Sequence, residues 1–463
     1  MNWDKFNGIA PVDYRYWDEK VARYLSENAF TRYKLKVEAA LARALSKRIA
    51  FPPAALAEIE TACKHVTTAE VYAEEDVTKH DIRALVNCIR VQVSDQAKPF
   101  VHMTATSFDI IDTANAMRYR DASKEVLLPE LNQLERTLIE LALREADTVQ
   151  VGRTHGQHAV PITFGFAIAG YVERLGNSIE ALRALADDLP GKFSGAVGAY
   201  NASSLFFDDP EAFEMDVMRE LGLRPSPHST QIVPPEALTR LLCEVTIAAG
   251  VMANLADDMR HLQRTEIGEV GEAFGKDQVV SSTMPQNRNP INFEKSKSGW
   301  KTIVGRIVTV FMDQISEHQR DLTNSASGRT YGEIVAYAVS MAARLDRTMR
   351  KLVVDREALA RNIAFQKGLI VAEPLYIILA SLGHPDAHEK VRQLTLAAQK
   401  DRLTLEDVAG PDPELAPYFA RMAERQKRVL ANPLQYTGIA AKKARSIAEH
   451  WRERLSLPQP LKA

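Results

Sequence analysis

The sequence predicts an all-α protein whose middle third is a bundle of long helices. Three observations carry this. Between Pro235 and Gly268, the residues Leu238, Leu241, Val245, Ala248, Met252, Leu255, Met259 and Leu262 recur at alternating three- and four-residue steps. That is the a/d seam of a helix packed along another helix. Similar stripes recur elsewhere, and no run of alternating Val, Ile and Thr reads as a strand. Aromatics are only 7% of the 463 residues, while the helix formers Ala, Leu, Glu and Arg are plentiful.

In chain order, Leu131, Leu134, Leu138 and Leu141 form a stripe after Pro129, and residues 163–189 are rich in Ala, Ile and Leu. The seam helix opens near Pro234 and Pro235, a residue type suited to helix starts. A helix of about 30 residues is ~45 Å long, so it needs partners of similar length. Its small residues Ala248, Ala249, Gly250 and Ala253 permit close approach. The seam alone fits packing within the chain and packing against copies of itself equally well. Two further helices are expected over 292–316 and 331–354. The polar cluster at 94–108, with Pro99, separates an N-terminal helical domain (1–105) from the bundle (106–354). The region 355–364 opens a C-terminal helical domain (355–463).

Composition excludes several functions. Apolar residues are 46% and charged residues 25%, an ordinary globular balance. The 58 basic and 60 acidic side chains leave a formal charge of -2, which argues against a surface-wide polyanion site, so no nucleic-acid partner is expected. Cys63, Cys88 and Cys243 are far apart and odd in number, so they build no disulfide framework or zinc knuckle. They are expected to be small buried hydrophobes in a reduced compartment. The start, MNWDKFNGIAPVDYRYW, lacks a basic stretch followed by an apolar run. The weakly charged stretch 246–256 is too short to cross a bilayer. The protein is therefore read as cytoplasmic, with no membrane partner. No metal-ligand spacing, Walker loop or GxGxxG occurs, so no metal and no cofactor are expected.

The chemistry is sought in polar, glycine-containing segments between helices. GRTHGQ at 152–157 sets Arg153, Thr154, His155 and Gln157 close together, with an imidazole suited to proton transfer near neutral pH. Residues 281–290 gather Ser281, Ser282, Thr283, Asn287 and Asn289 with two prolines. A helix cap at Asn289 with Pro290 first in the helix explains part of that pattern, but not the density of hydroxyls. RDLTNS at 320–325 is followed by Arg329, four residues after Ser325. A hydroxyl and a guanidinium at that spacing converge on one phosphate if they share a helical face; a solvated charged turn is the plainer alternative. TKHD at 78–81 and TATSFD at 104–109 read singly as caps or turns.

Taken together, these segments resemble the fumarase/aspartase superfamily and, within it, the adenylosuccinate lyase branch. The superfamily's signature loop has the form GSSxMPxKxNP; here it reads VSSTMPQNRNP at 280–290. PVDYRY (11–16), KHD (79–81), TSFD (106–109), RTHGQ (153–157), SGAVGAYN (194–201), STQI (229–232) and RDLTNS (320–325) follow in the branch's order. The resemblance implies a three-domain helical subunit that assembles into a homotetramer, with active sites where segments of three subunits meet. It implies a β-elimination that breaks the C–N bond of adenylosuccinate to give AMP and fumarate, and a companion step on the succinyl-carboxamide ribotide of purine synthesis. Two alternatives stay open: another N-succinyl compound as substrate, or nucleotide binding without turnover. By resemblance, Ser281 is the general base, His155 the general acid for the leaving nitrogen, and Glu294 the carboxylate that orients His155. His80, Asp81, Thr106, Ser107, Thr154, Gln157, Gln231, Asn289 and Arg320 correspond to substrate contacts. Arg15, Tyr16, Ser325 and Arg329 correspond to the nucleotide-phosphate set. The implied substrate is a small, phosphorylated, AMP-like succinyl amine.

Two departures fall on the signature loop: Val280 replaces the usual glycine and Asn287 the usual lysine. A milder one is His158, where proline usually follows RTHGQ. Valine resists the positive φ that glycine allows. The lysine would bring positive charge to the developing carbanionic carboxylate, whereas Asn287 offers a neutral hydrogen bond. Losing an oxyanion-type donor costs about 2.7–4 kcal/mol, and losing its charge-assisted part costs less. Asn287→Lys is therefore expected to raise fumarate release from adenylosuccinate by about tenfold or more, measured at saturating substrate. An unchanged rate with substrate still bound contradicts this electrostatic account.

Overall fold

A computed structural model of the chain describes residues 8–273, 288–366 and 368–457. The seam forms the 27-residue helix Glu236–Leu262. Leu241, Val245, Ala248, Met252, Leu255 and Met259 are all buried along it. By length and composition this helix could cross a membrane, but 56% of its apolar window is buried inside the molecule, as in a core helix. The other expected long helices run over Phe164–Asp187, Ile291–Met312 and Tyr331–Arg350. The leucine stripe lies in Leu128–Arg144, which continues the helix Ser107–Ala122 through a π turn at Ser123–Leu127.

The chain divides into two compact units. The first comprises Met1–Leu131, Asn177–Gly250 and Ser298–Ala343. Its core includes Tyr33, Leu41, Leu45, Ile82, Leu85, Phe193 and Phe213. The second comprises Asn132–Gly176, Val251–Lys297 and Arg344–Ala463. Its core includes Val151, Leu375, Leu379, Val391, Leu405 and Leu415. There Gly176 lies directly against the Trp451 ring, where any Cβ would clash. The Trp451 Nε1 donates to Glu173 at 2.7 Å.

Two local expectations are corrected. The region around RTHGQ is a β-hairpin: Val149–Thr154 pairs antiparallel with Gln157–Thr163, from Val149↔Thr163 to Thr154↔Gln157. The two-residue turn His155-Gly156 has φ of 55° and 73°, the positive pair that a type I′ hairpin requires. The second concerns the helix Ile291–Met312. It starts one residue after Pro290, and its free amides at Asn292 and Phe293 donate to Glu272 at 2.8 and 3.0 Å. A distant carboxylate thus caps the helix end rather than Asn289.

Glu135 is fully buried, and neither carboxylate oxygen has a hydrogen-bond partner among the described residues. Burial, and then the Glu173 charge, push its pKa well above 4.5. The folded protein therefore keeps a proton that the unfolded chain releases. The resulting stability is full below pH 4.5 and is lost as pH rises through the folded pKa. Glu135→Gln, always neutral, should gain melting temperature relative to the unsubstituted protein as pH rises through that range. A difference that does not change with pH contradicts this reading.

Candidate active site

In the first unit, the helix Ser107–Ala122 organises a polar face. Thr106 caps it, and the Thr106 amide donates to Asp109 Oδ2 at 2.8 Å. The other Asp109 oxygen accepts from Lys192 Nζ at 2.5 Å and from the Gly195 amide at 3.2 Å. Both side chains of this ion pair are 0% exposed, so each charge depends on its partner. Lys192 Nζ also donates to the Gly195 carbonyl at 3.1 Å. The Lys192 backbone exchanges two bonds with Thr113 Oγ1, at 3.0 and 2.9 Å. The next loop is tied in by Ser194 and Ser229, whose hydroxyls are 2.7 Å apart. Gly198, at φ +77°, passes so close to the Ser229 carbonyl that a Cβ has no room. Gln231 sits at the tip of that loop, and the following Val233 amide donates to Asp112 Oδ2 at 2.8 Å. Asp109, Asp112 and Thr113 follow i, i+3, i+4 spacing and share one helical face.

Of the other residues singled out in the sequence, Arg320 reaches this face. The Arg320 guanidinium lies 3.4 Å from the Phe108 ring centroid, a cation–π contact. Burial lowers its pKa, opposed by the charges of Asp112, Asp81 and Asp321. Burial pushes the Asp112 carboxyl up to about 6, against the Val233 amide and the Lys192 and Arg320 charges. His80 caps the helix Asp81–Arg90, its Nδ1 accepting from the Arg83 amide at 3.2 Å. Asp81 is 3.5 Å from Lys34 Nζ. Arg329 donates to the Ser325 carbonyl and, at 3.0 Å, to its hydroxyl. Arg15 is exposed, and the Tyr16 ring lies 5.2 Å from that of Tyr337. Among the described residues no hydrogen bond joins Arg15 or Tyr16 to Ser325 or Arg329.

The sequence reading missed His102. It stands at φ 62°, with Nδ1 2.6 Å from the buried Glu38 carboxylate. Burial lowers its pKa, but the charge and hydrogen bond of Glu38 outweigh this and raise it overall. A lone histidine in the run FVHMT carries no spacing signal, and the partner Glu38 is 64 residues away in the chain.

In the second unit, Thr154, His155 and Gln157 lie exposed at the hairpin tip. Arg153 is committed elsewhere: its two guanidinium nitrogens meet the two oxygens of Glu269 at 3.0 and 2.6 Å. Glu269 is 0% exposed and also accepts from Gln150 and Asn362, each at 2.8 Å. This bidentate pair anchors the hairpin that carries His155. Glu294 is exposed in the first turn of its helix, and among the described residues no hydrogen bond links it to His155. Asn289 is half-buried, its carbonyl accepting from the Ile291 amide at 2.9 Å. Val280, Ser281 and Asn287 lie outside the described residues. The flanks of that segment are tied down by the Glu272 cap and by Gln263 Nε2, which donates to the Arg288 carbonyl at 3.0 Å. Among the described residues, no group of three His, Cys, Asp or Glu side chains could hold a metal ion.

A family model described as lyase matches residues 3–305 of this helical chain. A second, described as adenylosuccinate lyase C-terminal, matches residues 316–411. The adenylosuccinate lyase of Pyrococcus abyssi is 37% identical over 450 residues, covering 96% of this chain and 97% of the relative. That of Pyrococcus horikoshii is 36% identical over 456 residues, covering 96% and 98%. A solved 3-carboxy-cis,cis-muconate lactonizing enzyme from Pseudomonas putida matches with a TM-score of 0.83 at 27% identity, covering 96% of this chain and 99% of that one. The chain belongs to the adenylosuccinate lyase family, within the fumarase/aspartase superfamily, and is a C–N lyase acting on a small molecule.

Proposed function

We propose that the protein cleaves adenylosuccinate to AMP and fumarate, and also takes the succinyl-carboxamide ribotide of purine synthesis. The observation that carries this reading is the fixed polar face of the first unit, where one helix ties the Thr106–Ser107 cap to the Gln231 loop and Phe108 holds Arg320. Ser281 takes the proton from the carbon beside the succinyl carboxylate, leaving a dianionic aci-carboxylate. The C–N electron pair then leaves with nitrogen, which takes its proton from His155, and the double bond of fumarate forms. A serine hydroxyl is too weak an acid to ionise unaided, so nearby positive charge must support it. Thr106 and Ser107 offer hydroxyls and a helix N-terminus to an anionic group, and His80, Asp81, Thr154, Gln157, Gln231, Asn289 and Arg320 complete the substrate contacts. Arg15, Tyr16, Ser325 and Arg329 take the phosphate.

Glu294 reaches His155 from a neighbouring subunit in this reading, since no hydrogen bond joins the two among the described residues. The assembly is a cytoplasmic homotetramer of subunits with domains 1–105, 106–354 and 355–463. Exposed apolar side chains on two long helices, Ile247, Val308, Phe311 and Met312, and Ile315 just beyond, support self-association; each is more than half exposed. A second reading, cleavage of another N-succinyl compound, is favoured by Val280 and Asn287.

Fumarate release from adenylosuccinate and a panel of N-succinyl amines separates the two readings. On the preferred substrate, His155→Gln should lower kcat by about 10²–10⁴-fold. Mixing it with an inactive Arg320→Ala protein under subunit exchange should restore turnover. A full rate in His155→Gln, or no recovery in exchanged mixtures, contradicts the shared-site mechanism.

A further inference from the structure

We propose that Asp112 is a positioning residue for substrate binding: its carboxylate fixes the backbone beside Gln231 and so aims the Gln231 amide. The inference rests on the assignment of Gln231 as a substrate contact.

Gln231 stands at the tip of a very tight loop. The Thr230 amide donates to the Ile232 carbonyl at 3.1 Å, and the Ile232 amide donates to Thr230 Oγ1 at 3.3 Å. A loop closed on itself in this way moves as one piece, so its direction is set by its two flanks. One flank is held where Ser229 meets Ser194 at 2.7 Å. The other is held where the Val233 amide donates to Asp112 Oδ2 at 2.8 Å. No other backbone donor can replace that second bond. Val233 is followed by Pro234 and Pro235, which have no N–H, and the helix Glu236–Leu262 begins directly after them.

The acceptor is equally well determined. Asp112 lies on the helix face of Asp109 and Thr113, and the charges that face it are Lys192, Arg320 and Asp109. Lys192 is already paired with Asp109 inside the core. The Val233 amide is the hydrogen bond that the Asp112 carboxylate makes among the described residues. Asp112 thus acts on substrate through Gln231, at the distance of a short loop, without entering the chemistry.

The test is a kinetic cycle on adenylosuccinate cleavage. Asp112→Ala should raise KM by about tenfold or more, the scale of a hydrogen bond to a charged group, with kcat within about threefold of the parent. Asp112→Asn keeps a carbonyl oxygen for the Val233 amide and should restore KM to within about threefold. In a Gln231→Ala background, Asp112→Ala should add nothing to KM, because its route to substrate is gone. Should the alanine variant not fold, Asp112→Ser, polar but too short to reach Val233, gives the same readout. A parental KM in Asp112→Ala, an Asp112→Asn defect as large as that of alanine, or a full additive effect in the Gln231→Ala background overturns the inference. An unaltered KM in Gln231→Ala alone instead refutes the assignment of Gln231, and with it the inference that depends on it.

Discussion

A buried ion pair, Lys192 with Asp109, is the constraint on which the polar face of the first unit depends. Two ions without solvent are tolerable only when their remaining lone pairs and protons are used. Here they are used on backbone: the Thr106 and Gly195 amides go to Asp109, and the Gly195 carbonyl goes to Lys192. Any outward swing of the helix cap or of the glycine loop strands a charge in the core. The loops that carry Thr106, Ser107 and Ser194 are therefore held before substrate arrives, and positioning is settled during folding rather than during binding. The second unit repeats the device with different residues, as the buried Glu269 gathers Arg153, Gln150 and Asn362 beneath the hairpin of His155.

The fold alone does not choose the reaction. A muconate lactonizing enzyme shares it at a TM-score of 0.83, so the long helices are a frame on which different chemistry is mounted. The polar side chains of the candidate site sit on loops, on the first turns of helices and on the hairpin. Some of these side chains are structural and some are presented outward. Arg153 and Asp109 belong to the first group, because their partners are buried. His155, Ser325 and Arg329 belong to the second, because they stand exposed.

The helices were legible because burial on one face imposes a period, and the seam from Leu238 to Leu262 keeps it without interruption. The hairpin was not. Its alternation breaks at Gly152, where the register slips and the Val160 carbonyl would lie 2.6 Å from a Cβ, and again at Pro161. The polar segments were legible as clusters, but not the division of labour within them. Lys192 reads in PGKFSG as an ordinary surface lysine, and only the packed fold shows that it is wholly buried. The cap on the helix Ile291–Met312 went unread for the same reason: Glu272 lies 20 residues before the amide it receives.

The central claim is that the Asp109–Lys192 pair couples two loops into one unit. Site-resolved amide hydrogen exchange in Lys192→Met tests it most directly. The account predicts that the Thr106 and Gly195 amides lose protection together, while the strand amides of the Val149–Thr154 hairpin keep theirs. Retained protection at Thr106 with loss at Gly195 alone, or loss spread evenly over both units, would contradict it.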